Sequence, residues 1–78
     1  MIRVQKQYVL SAVITKGEVA YVASCPELGV TSQGNSEENA LENLKEAVEL
    51  YLEDEDVREM LKEHPVKPAH VTPFAVTA

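Results

Sequence analysis

The apolar residues of this chain change period once, at Gly34-Asn35-Ser36, and that switch divides the polypeptide into a strand half and a helix half. Before it, Tyr8, Leu10, Ala12 and Ile14 alternate with Val9, Ser11, Val13 and Thr15, a two-residue period rich in β-branched side chains. Lys16-Gly17-Glu18 supplies a turn. The run from Val19 to Cys25 then resumes as a second strand, with Val19, Tyr21, Ala23 and Cys25 on one face. Pro26-Glu27-Leu28-Gly29 ends it, because proline donates nothing to a ladder and glycine permits a sharp turn. Val30-Thr31-Ser32-Gln33 makes a short third strand, and the simplest pairing is an antiparallel meander.

After the switch the period is helical. Ser36 is placed as an N-cap, with Glu37 and Glu38 in the first turn, where the helix dipole favours negative charge. Ala40, Leu41, Leu44, Ala47, Val48 and Tyr51 form one apolar stripe, and Leu44 and Tyr51 are expected in the core. The helix should fray near Glu53-Asp54, and a shorter one should start at Asp54 or Asp56 with Val57, Met60 and Leu61 buried. Pro65 stops it. Val66-Lys67-Pro68 should be extended, and the run from Val71 to Ala78 has strand composition, confined by Pro73 to an edge or a ladder end.

Strands followed by helices imply an α+β class. The expected fold is an antiparallel three- to four-stranded sheet with one long helix on one face, in the order β-β-β-α-(α)-β, as a single domain over residues 1–78. The other sheet face, carrying Val9, Val13 and Val22, would be left uncovered, which points to a homo-oligomer, dimer or tetramer. Its contact would run through the sheet or the last strand.

Charge narrows the function. Seven basic and thirteen acidic residues give −6. Between Glu37 and Glu63 stand eleven acids and three bases, a local net of −8, so the acidity belongs to one segment. This balance argues against direct nucleic-acid binding, which needs a basic face. No apolar run approaches the about 20 residues that span a bilayer, and no signal-type stretch follows Met1, so a cytoplasmic protein without membrane contact is expected. One cysteine cannot form an internal disulfide.

Chemistry-bearing patterns are sparse. Cys25 has no neighbouring base in sequence and reads as a small hydrophobe. His64 and His70 lie six residues apart, which is not a zinc spacing, and His64 reads instead as a helix C-terminal cation. A metal-dependent nuclease would need carboxylates converging from strands and helices, whereas Glu18 and Glu27 fall in turns and the rest lie along helices. Gly29 and Gly34 lack phosphate-loop spacing, and Tyr8, Tyr21, Tyr51 and Phe74 are too scattered to form a base-stacking platform. The expectation is therefore no catalytic residue, no metal, no cofactor and no enzyme activity.

One long motif remains. From Pro26 through Ser32-Gln33-Gly34 and Ser36 to the helix Ala40-Leu41-Glu42-Asn43-Leu44-Lys45-Glu46-Ala47-Val48-Glu49-Leu50-Tyr51-Leu52-Glu53, preceded by the strand from Val19 to Cys25, the chain resembles the HicB-like antitoxins. The resemblance covers roughly residues 6 to 55. It implies a partial RNase H-like fold without nuclease carboxylates, whose role is to bind and block a small basic mRNA-cleaving toxin of the HicA type. Asn39 stands where the family usually has Glu, which weakens the capping box. No helix-turn-helix or ribbon-helix-helix segment follows, so operator binding is not expected. The alternative is an orphan HicB-like oligomerisation or regulatory module with no toxin partner. Under the antitoxin reading the contact surface is the acidic helix face, Glu42, Glu46, Glu49 and Glu53, or the proline turn, Glu27 and Leu28.

Overall fold

The structure, a computed structural model, describes residues 7–78. Its elements run β1 (Val13–Lys16), β2 (Tyr21–Cys25), β3 (Val30–Gly34), α1 (Glu37–Tyr51) and α2 (Glu55–Glu63). The class is α+β, as expected. The three strands form one antiparallel sheet in the order β1-β2-β3. The final strand expected over Val71–Ala78 is absent: that segment takes no regular secondary structure and does not join the sheet, and its Pro73 has no amide to offer a ladder.

β1 and β2 are shorter than the alternation suggested, for two physical reasons. Lys16 pairs with Tyr21, and the Gly17 amide donates to the Ala20 carbonyl at 2.8 Å, so Gly17 to Ala20 form the hairpin loop. Val19 therefore sits in that loop at 99 % exposure rather than in β2. At the other end, the register that pairs Val13 with Ser24 would bring Ser11 opposite Pro26, which cannot donate. The ladder stops there, and the segment before Val13, expected to be strand, runs extended but unpaired with the sheet.

Register fixes the faces. Ile14, Tyr21, Ala23, Cys25, Val30 and Ser32 face α1, while Val13, Thr15, Val22, Ser24, Thr31 and Gln33 face away. The outer face is thus mostly polar, and Thr31 Oγ1 donates to Ser24 Oγ across it at 3.3 Å. The core is Ala23, Cys25, Ala40 and Leu44, ringed by half-buried Leu10, Ile14, Tyr21, Leu28, Val30 and Val48. Small residues dominate it because strand and helix approach closely. A Cβ at Gly34 would lie 2.5 Å from the Ala40 amide nitrogen.

α1 is pinned at its start and along its flank. Ser36 Oγ accepts the Asn39 amide at 3.0 Å, as the capping pattern predicts. Asn39 does not leave the reciprocal bond unmade: its Oδ1 accepts the Asn35 amide at 3.1 Å, one residue earlier than a capping box would. Asn43 Nδ2 donates to the Gln33 carbonyl at 2.8 Å and ties helix to strand. The 15-residue helix measures about 22 Å against about 17 Å for a five-residue strand, so its last turn overhangs the sheet. Tyr51 accordingly stands exposed instead of in the core, beside the exposed Leu50.

α2 follows directly, capped by Asp54 Oδ1, which accepts the amides of Asp56 and Val57. Leu61 is buried and Val57 half-buried, but Met60, expected inside, is exposed. His64 ends the helix as its C-cap.

Candidate functional site

On α1 the expected contact residues divide cleanly from the core. Ala40 and Leu44 turn inward, and Glu42, Glu46 and Glu49 stand exposed at four- and three-residue steps, a single stripe continued by Glu53 just past the cap. Beyond Glu53 the exposed acids Asp54, Glu55, Asp56, Glu59 and Glu63 extend the field onto α2. The helical half thus offers a rigid acidic ridge whose side chains are free to meet cations.

Glu27 is elsewhere and differently employed. Its Oε1 accepts the Ser11 amide at 2.7 Å and the Cys25 thiol at 3.5 Å, and its Oε2 accepts the Ala69 amide at 2.8 Å. Ser11 Oγ closes the ring by donating to the Ala69 carbonyl at 3.1 Å. Desolvation by itself would push this carboxyl up, but the Ser11 and Ala69 amides and the thiol outweigh it and hold the pKa at about 2. Glu27 therefore accepts the Ser11 amide, which lies beyond the end of the ladder, and it clasps three distant stretches of chain together. Leu28, its neighbour, is half-buried against the core, in a turn closed by the Leu28 and Gly29 amides on the Cys25 carbonyl. Gly29 takes φ +69°, which glycine adopts without strain. The structure does not bring Glu27 and Leu28 into the α1 stripe.

Nothing in the sequence singled out a third feature. Between the extended segment before β1 and the side of α1 lies an apolar groove of about 450 Å³, lined by Tyr8, Leu10, Leu41, Leu44, Val48 and Leu52, with Lys45 and Glu49 on its rim. The helical period placed Leu41 on the apolar stripe, yet it is 46 % exposed, because no strand lies opposite it. That mismatch is the signal a sequence could carry only if the end of β1 were known.

The remaining chemistry candidates are accounted for locally. Cys25 is buried; desolvation pushes its thiol up, so it is held as the thiol form. His64 and His70 are both exposed, one at a helix end and one in the tail. Among the described residues no three His, Cys, Asp or Glu side chains come together to hold a metal ion, and no helix is long and apolar enough to cross a membrane.

Fold and surfaces together define a small α+β protein with three surface features: an acidic ridge, an apolar groove and a clasped turn. The chain belongs to a family of unknown function (DUF7387), whose model matches residues 9–73. It is also similar to a UPF0150 protein of Helicobacter pylori strain J99, with 52 % identity over 52 residues that cover 65 % of this chain and 72 % of the relative. No solved structure matches.

Proposed function

We propose that the protein is an antitoxin of the HicB-like kind, which binds a small basic ribonuclease of the HicA type and blocks it, with no catalysis, cofactor or direct nucleic-acid binding of its own. The observation that carries this reading is the acidic ridge Glu42-Glu46-Glu49-Glu53 on α1, inside the very motif that resembles the HicB-like antitoxins. The likeness to a UPF0150 protein over 52 residues and the family match over residues 9–73 support a small protein of toxin–antitoxin type. A ribonuclease must present cations to hold RNA, and the same cations suit a fixed row of carboxylates, which speeds encounter and selects the partner.

The proposed contact is the ridge rather than the proline turn, a choice supported by the Glu27 oxygens being already engaged by Ser11, Ala69 and Cys25. Leu28 remains available only at the margin of the core. Capture from the native lysate at low and high salt tests the reading. A small basic protein that cleaves RNA should be retained at 50 mM salt and released near 500 mM, where screening is nearly complete beyond about 4 Å. If only the chain itself is recovered, the orphan-module alternative takes its place.

A further inference from the structure

The chain exposes more surface than a compact monomer should. Its accessible area is 6736 Å², about 2,000 Å² above the roughly 4,700 Å² that a folded monomer of this size presents. Its radius of gyration is 15.0 Å, against about 11.5 Å for a compact chain of this length. Residues 70–78 form no helix, strand or turn and are exposed throughout, with Val71 at 60 %, Phe74 at 86 % and Val76 at 77 %. Three large apolar side chains on one unsupported segment are costly to leave in water.

That segment has a fixed root. Ala69 is held on both sides, its amide by Glu27 and its carbonyl by Ser11, so the arm leaves the body at a defined point. Pro68 and Pro73 stiffen it on either side of Val71. Nine extended residues reach about 30 Å, consistent with a molecule 56 Å long and only 28 Å and 19 Å across. None of residues 70–78 lines the groove between the pre-β1 segment and α1. Among the described residues, the chain thus carries an exposed apolar arm and an apolar groove that the arm does not line.

We infer that residues 70–78 are an exchange arm that docks in the α1 groove of a second copy, Phe74 entering between Leu10, Leu41 and Leu52, to make a twofold dimer. Two arms and two grooves close on each other and leave no site open. The exposed excess of about 2,000 Å² is more than the roughly 800 Å² that a stable interface takes from each partner. Charge fits as well. From His64 to Ala78 there is no acid, so this stretch of an acidic chain meets another copy without like-charge repulsion. The groove is apolar and its rim holds one Lys and one Glu, Lys45 and Glu49. The inference does not depend on any toxin and leaves the ridge on α1 outside the contact except at Glu49.

Sedimentation equilibrium of the full chain, with F74D, L41K and a chain stopped after Ala69, tests this. Phe74 touches no core residue of its own chain, so F74D leaves the single subunit intact, and circular dichroism checks each variant's fold. The expected result is a dimer for the full chain, a dissociation constant raised at least about 30-fold by F74D and by L41K, as for a central interface anchor, and a monomer without the arm. A full-chain monomer overturns the inference, whether its arm is free or folded back. So does a dimer that survives loss of the arm. A dimer weakened by F74D but not by L41K overturns the groove as the docking site.

Discussion

Glu27 concentrates the residue-scale logic of this protein. It follows the proline at which β2 ends, and its carboxylate accepts the Ser11 amide beyond the ladder while reaching 42 residues along the chain to accept the Ala69 amide. Charge-assisted bonds of this kind matter most when one partner is removed. Glu27→Ala should therefore cost about 1–2 kcal/mol in denaturant unfolding at pH 7. The pH dependence has a definite sign. Because the folded pKa lies at about 2, below the ordinary 4.5, the ionised carboxylate stabilises the fold fully above about pH 4.5, and the contribution is lost as pH falls toward 2. The stability gap between the native chain and E27Q should shrink across that window. A gap that widened on acidification would contradict the clasp. Cys25 makes a second residue-scale prediction. Its buried thiol should react with a disulfide reagent only after unfolding, and stoichiometric labelling of the native chain within seconds would place it elsewhere.

At the scale of elements, the helix and the third strand are joined by contacts that tolerate little change. Gly34→Ala would drive a Cβ to 2.5 Å from the Ala40 nitrogen, so backbone must move, and a loss of about 1–3 kcal/mol is expected. Asn43→Ala removes the side-chain bond to the Gln33 carbonyl and should cost about 1 kcal/mol, measured in the same unfolding titration. The meander, α1 with its Ser36 cap and the existence of α2 were all legible in the sequence, because period and capping chemistry are local signals. Element ends were not. β1 loses residues 8–12 to the register that sets Ser11 against Pro26, and Tyr51 and Met60 leave the core because the described strands pack under α1 and are too short to reach its last turn or α2. Those outcomes depend on tertiary register, which no local pattern encodes. For the same reason the carboxylates of Glu42, Glu46, Glu49 and Glu53 could be read as one exposed row, whereas Glu27's occupation and the groove beside Leu41 could not.

For the whole molecule, polarity is divided: the helical ridge is acidic, while the tail beyond His64 carries no acid and exposes Val71, Phe74 and Val76. The two surfaces suit different partners, a basic protein on the ridge and a second copy at the arm. Reversing Glu42, Glu46 and Glu49 to Lys together should weaken binding of the basic ribonuclease at least tenfold and flatten its salt dependence, with the helical signal preserved. Unchanged affinity would remove the ridge from the contact. The most direct test of the central claim is inhibition of RNA cleavage. The basic ribonuclease recovered with this chain is titrated with it at fixed RNA, and residual cleavage is followed on a gel. Cleavage that falls linearly to zero at one chain per ribonuclease is the predicted result. Cleavage unaffected by a tenfold excess would contradict it.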